Sequence, residues 1–249
     1  MKKLNLITTL LAGIILLMGC KKETPTCSFV YSAWTSCSNS IQTRTYTSSP
    51  SGCTGTPPAD SLQRSCVMGK IGDQIWATKN LDVATYRNGD AIPQVQDITA
   101  WANLNTGAWC YYENNTTYGK LYNWYAVNDP RGLAPNGFHI PSESEWTRLI
   151  EYLGGDYIAG GKMKESGTSH WISPNTDATN SSGFTGLPGG YRNNNGTFGG
   201  IGAYGYWWSS SEIDTYYAWY RKLYYNYGEV SSNANQNKEY GFSVRCLRD

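Results

Sequence analysis

Histidine is nearly absent from this chain: His139 and His170 are the only two in 249 residues. Neither has a second histidine or a cysteine two to five residues away, so the sequence gives no basis for a histidine-built zinc or copper site. Charge is also sparse. Charged residues make up 16% of the sequence and the formal net charge is +1, which leaves no electrostatic footprint for nucleic acid or an anionic lipid surface. No nucleophile-elbow sequence singles out a serine for a Ser-His-Asp triad. Carboxylates are present at Glu143, Glu145, Glu165 and Glu212, but no spaced pair stands out for glycosidase work. The apolar run Leu10–Met18 is too short to cross a bilayer as a permanent helix.

That run gains meaning from its neighbours. Lys2 and Lys3 precede it and Leu17-Met18-Gly19-Cys20 ends it, the order of a secretory signal. The last four residues resemble a bacterial lipobox. The resemblance implies cleavage before Cys20 and a diacylglycerol on its sulfur, so residues 1–19 read as a lipoprotein signal peptide. Residues 20–26 read as a polar tether. A mature lipoprotein of this kind carries three acyl chains, and two or more already anchor stably at ~0.8 kcal/mol per buried CH2. No Asp follows Cys20, and the expected location is exported, lipid-anchored, in the outer membrane or at the cell surface.

Seven cysteines occur, and setting Cys20 aside leaves an even set. In an exported chain such a set reads as disulfides rather than metal ligands. Cys27, Cys37, Cys53 and Cys66 crowd into residues 27–66, a segment with almost no aliphatic core, where staples substitute for burial. Four cysteines allow three connectivities, and their spacing does not choose among them. Trp34-Thr35-Ser36-Cys37-Ser38, Gln42-Thr43-Arg44 and Gln63-Arg64-Ser65-Cys66 resemble a thrombospondin type-1 repeat, with Trp34 and Arg44 in stacking roles. The resemblance implies Cys37–Cys66 and Cys27–Cys53 pairs, in a small β module that serves as adhesive or spacer. The two remaining cysteines, Cys110 and Cys246, are expected to bridge, an arrangement worth ~2–4 kcal/mol.

Residues 67–249 form the main domain. Val67–Ile71 and Gln74–Thr78 flank Gly72-Asp73 as a hairpin. Leu121, Trp124 and Tyr125 recur at helical spacing over a short stretch. Ser142 and Glu145 make a capping box, after which Trp146, Leu149, Ile150 and Leu153 form one apolar stripe that Gly154 stops. Beyond Gly154 the chain reads as glycine-punctuated loop, followed by strands at Tyr206–Ser211, Tyr216–Tyr225, Glu229–Ser232 and Tyr240–Leu247.

Several motifs here occur in order: Gly119-Lys120-Leu121-Tyr122-Asn123-Trp124-Tyr125-Ala126-Val127, Gly132 to Ser142, Glu145-Trp146, Ser182-Gly183-Phe184, Leu187-Pro188-Gly189-Gly190-Tyr191-Arg192, Trp207-Trp208-Ser209-Ser210-Ser211 and Gly241-Phe242-Ser243-Val244-Arg245-Cys246. Together they resemble the Fibrobacter succinogenes major paralogous domain over about residues 70–249. That family is similar to formylglycine-generating enzymes and, more remotely, to C-type-lectin-like folds. The resemblance implies an α+β domain with two helices against a small antiparallel sheet and long irregular loops. Formylglycine-generating enzymes use two closely spaced cysteines to hold copper; here Cys246 has no second cysteine nearby.

The expectation is therefore a binding or adhesion module for glycan or protein, not an enzyme, with no cofactor. A divergent oxidoreductase or hydrolase and a structural envelope protein without soluble ligand are the alternatives. Tyr191, Tyr204, Tyr206, Trp207, Trp219 and Tyr224 are the candidate ligand-stacking rings, with Asn193, Asn194 and Asn195 as polar contacts. Asn175, Asp177 and Asn180 offer hard oxygens for a calcium ion, although Asx turns explain the same loop.

Overall fold

The structure is a computed structural model and describes residues 27–31, 41–43, 45–49, 53, 63–65 and 68–249. The signal segment, Cys20, the tether, Trp34, Arg44 and the Cys37–Cys66 pair lie outside the described residues. Contacts group the chain into a small N-terminal unit and a larger unit built on Ser65–Asp249.

In the small unit, β1 (Ser28–Tyr31) pairs antiparallel with β3 (Tyr46–Ser49), and Cys27 is bonded to Cys53, as the thrombospondin resemblance implied. All four residues of β3 are exposed, and the disulfide supplies a constraint that burial of this strand does not. Among the described residues the ribbon's ring packing joins Phe29 to Tyr31 and Tyr46. Two further short strands, β2 (Ile41–Thr43) and β4 (Gln63–Ser65), pair with each other.

The larger unit is α+β. Its order is β5 (Met68–Ile71), β6 (Gln74–Ala77), α1 (Ile98–Ala102), β7 (Trp109–Cys110), β8 (Leu121–Tyr122), α2 (Trp124–Val127), β9 (Phe138–His139), α3 (Glu143–Tyr152) and α4 (Asp156–Met163). There follow β10 (Gly189–Arg192), β11 (Phe198–Ile201), β12 (Tyr204–Glu212), β13 (Tyr217–Tyr224), β14 (Val230–Asn237) and β15 (Leu247–Arg248). A five-stranded sheet runs β11-β10-β12-β13-β14, with β10 and β12 parallel and the other pairs antiparallel. A second sheet, β5-β6-β15-β9, is antiparallel throughout, and β7 pairs with β8.

The expected hairpin is present, turned by Gly72 at φ +63°. α3 begins where the capping box places it: the Ser142 hydroxyl accepts from Glu145 N–H and the Glu145 carboxylate accepts from Ser142 N–H. Its buried residues Trp146, Leu149 and Ile150 face the sheet interior. Trp76, Trp146, Phe184 and Trp207 form one aromatic knot there, with ring centroids 4.7–5.9 Å apart. A second core holds Tyr122, Trp124, Tyr206, Trp208, Tyr220, Phe242 and Cys246, and a third holds Trp101, Cys110, Tyr112 and Leu121.

Several expectations change. Among the described residues there are four helices instead of two, and the main sheet is mixed. α4 occupies the stretch that reads as loop: Gly160 and Gly161 lower helix propensity but admit close backbone approach, since a Cβ on Gly160 would sit 2.3 Å from the Glu229 carbonyl oxygen. Around Leu121 the chain is a short strand followed by a single helical turn capped by Asn123. Residues 240–247 are not one strand. They make separate bridges to Tyr122, Arg192 and Trp207 before entering β15, because this segment runs past several elements rather than along one. Finally, Cys110 and Cys246 are not bridged. Both are free, buried thiols in different cores, and burial pushes their pKa values up to about 11 and about 12.

Candidate functional site

Side-chain alternation along β12 and β13 divides the candidate rings between two faces. Gly205 pairs with Leu223 and Trp207 with Arg221 on the face toward α3. Trp207 is fully buried there, its indole N–H donating to Asn80 Oδ1 at 2.8 Å. It belongs to the core and presents nothing to a ligand. Trp219 is half-buried on β13, next to the irregular pairing between Ala218 and Tyr220.

The opposite face gathers the rest. Tyr204 pairs with Tyr224, Tyr206 with Lys222, and Trp208 with Tyr220. The Lys222 ammonium lies 4.0 Å from the Tyr204 ring centroid, 4.3 Å from that of Tyr224 and 5.1 Å from that of Tyr206. Tyr204 and Tyr224 stand perpendicular with centroids 5.7 Å apart, as two walls beside the lysine. Tyr206 forms the floor, stacked on Phe242 at 4.7 Å, and burial raises its phenol pKa well beyond the ordinary value. Tyr191 continues the surface 5.2 Å from Tyr206, and exposed Tyr227 extends it 5.7 Å beyond Tyr224. Tyr191, Tyr204, Tyr224 and Lys222 are all half-buried, so each offers part of its surface to solvent.

Glycine sets this geometry. A Cβ on Gly199 would lie 2.8 Å from the Tyr191 ring, and one on Gly200 would lie 2.6 Å from the Tyr204 ring. The Gly199-Gly200 pair in β11 therefore lets both rings settle against backbone. Behind Tyr224, the buried Lys164 ammonium donates to the carbonyls of Thr176, Tyr224 and Tyr227 at 2.6, 2.9 and 2.8 Å. A chain-borne cation thus fixes the segment that carries the second wall.

The sequence-selected asparagines do not join this cluster. Asn193 lies at the β10–β11 turn, its N–H donating to the Thr197 carbonyl and its carbonyl accepting from Gly196; Asn194 is half-buried beside it. The calcium candidates are only partly engaged, since the buried Asn175 Oδ1 has no hydrogen-bond partner. Asn175 Nδ2 donates to the carbonyls of Glu165 and Gly167, and Asn180 Oδ1 accepts from Thr185 N–H. All three candidates have φ between +47° and +60°, a backbone region that Asn and Asp tolerate, and nearby carbonyls of Thr176, Tyr224 and Tyr227 hold Lys164. Among the described residues no group of three or more His, Cys, Asp or Glu side chains is placed to hold a metal.

Other charged motif residues support the frame. Arg192, fully buried, donates to the carbonyls of Val95, Gln96, Asp97 and Gly196 and lies between the rings of Trp101 and Phe198. Arg245 reaches Ala77, Phe184 and Asn80, and burial lowers its pKa to about 9. Arg221 forks onto Glu143. These cations substitute for apolar contacts at places where loops meet the sheets.

The match to known families now falls into place on these elements. Residues 70–248 match the Fibrobacter succinogenes major domain. The chain belongs to that family. No curated protein and no solved structure matches it. In this Fibrobacter succinogenes major domain, the motif residues Arg192, Trp207, Trp208, Phe242 and Arg245 are interior and define the scaffold. The tyrosine face stands partly outside them. Lys222 was the residue sequence reading passed over, and its signal was visible: a lone cation in the parity stripe Tyr220-Lys222-Tyr224.

Proposed function

We propose that this protein is an exported, lipid-anchored envelope protein whose main domain is a recognition module for glycan, using the tyrosine face around Lys222. The observation that carries the reading is the pair of perpendicular tyrosine walls at Tyr204 and Tyr224 beside a half-buried ammonium. Flat aromatic faces with a few polar donors suit sugar rings, which present apolar C–H surfaces and hydroxyl edges. Short helices against small sheets joined by long irregular connections support a C-type-lectin-like fold of the formylglycine-enzyme kind. Cys20 and the leader before it support the anchor, and the Cys27–Cys53 ribbon supports a thrombospondin-like spacer between membrane and domain.

The oxidoreductase alternative would work through Cys246. Burial withholds the thiolate that such chemistry needs, so the site favours recognition. The test is a glycan array probed with the mature protein and a Tyr204→Ala/Tyr224→Ala double variant. Binding by the first and its loss in the second is expected. A native protein that binds no sugar on the array would overturn the proposal in favour of a structural envelope role.

A further inference from the structure

Most buried cations of this domain have an oxygen partner. Lys120 has Asp82, Lys238 has Glu212 and Arg221 has Glu143. Lys164, Arg192 and Arg245 have backbone carbonyls. Lys222 differs. It is held over three tyrosine rings, and no carboxylate among the described residues pairs with it. Ring faces stabilise the charge but do not replace oxygen acceptors for its three N–H donors. Burial alone lowers its pKa, with no compensating neighbour. A partly desolvated ammonium in a stacking site is a receptor for an anion.

We infer that the tyrosine face selects sugar acids: the sugar ring lies against Tyr204 and Tyr224 while its carboxylate accepts hydrogen bonds from the Lys222 ammonium. The inference rests on the glycan-recognition reading and names the class of sugar it takes. An anionic partner completes the site electrostatically, whereas a neutral sugar would leave the charge as it stands. Charge complementarity also sets the number of carboxylates engaged. Lys222 is one compact charge between two walls, which suits a single hexuronate unit within a chain.

The test measures binding of the mature protein to oligogalacturonate and oligomannuronate, to the methyl esters of both, and to polyglutamate. The free acids are expected to bind at least tenfold more tightly than their esters, with the preference shrinking as salt is raised. Lys222→Met should abolish the difference between acid and ester, and Lys222→Arg should keep it, which separates loss of charge from loss of fold. Equal binding of acid and ester by the native protein would overturn the inference, as would a preference that survives in Lys222→Met. Polyglutamate binding as tight as oligouronate would overturn it too, since charge without a sugar would then suffice. Neutral glycans binding without acid preference would sink only this inference, whereas no glycan binding at all would sink the recognition reading with it.

Discussion

Arg221 on β13 and Glu143 at the start of α3 form a two-pronged ion pair, with Nη2–Oε1 at 2.5 Å and Nη1–Oε2 at 2.6 Å. The guanidinium is 1% exposed, and its Nε has no hydrogen-bond partner. Glu143 is therefore the main compensation for a buried charge that joins the helix to the face of the sheet opposite Lys222. Glu143→Ala should destabilise the domain by about 3 kcal/mol, because removing one member strands the other. Urea unfolding reads this directly as a lower midpoint with an unchanged slope.

The ring of His139 lies between Asp249, 2.7 Å from Nδ1, and Glu145, 2.9 Å from Nε2. Partial burial pulls its pKa down, but the hydrogen bonds to Asp249 and Glu145 outweigh that, and the net shift is upward. A raised pKa in the folded state means the imidazolium stabilises the fold. This contribution is complete below the ordinary histidine value of about 6.5 and is lost as pH rises through the folded-state value. Native protein should lose stability as pH rises above about 6.5, relative to His139→Gln. Superimposable pH profiles for the two proteins would refute the assignment.

Gly160 lies in the middle of α4 against the backbone of Glu229. Ordinary propensity says that alanine should improve this helix, while the 2.3 Å clash with a carbonyl oxygen says the opposite. The clash wins, because backbone cannot yield as a side chain does. Gly160→Ala should cost about 2 kcal/mol or more, seen as a depressed thermal midpoint.

Cys110 and Cys246 are buried thiols whose pKa values lie far above neutrality. Under native conditions both should resist maleimide, and both should label fully once the chain unfolds. Peptide mapping by mass spectrometry checks each site separately. Rapid native labelling of the peptide that carries Cys246 would contradict its burial.

Legibility in the sequence followed the range of the interaction. The capping box at Ser142 and Glu145 and the Gly72 hairpin depend on residues a few positions apart, and both stood in the sequence as they stand in the fold. α4 was hidden because its glycines are explained by Glu229 and Asp177, distant in the chain. The alternation in β13 showed two aromatic faces. Which of them α3 covers is decided by Arg221 meeting Glu143, 78 residues away. Trp207 was misplaced for that reason, whereas Tyr204 stands half-buried on the other face. The Cys110–Cys246 bridge failed on similar grounds, since pairing from export context and count says nothing about which core each cysteine enters.

Lys164 gathers the carbonyls of Thr176, Tyr224 and Tyr227 with a positive charge that belongs to the polypeptide itself. A tethered counter-charge cannot be diluted, exchanged or stripped by a chelator. The wall formed by Tyr224 would thus keep its posture in ion-poor surroundings as readily as in ion-rich ones.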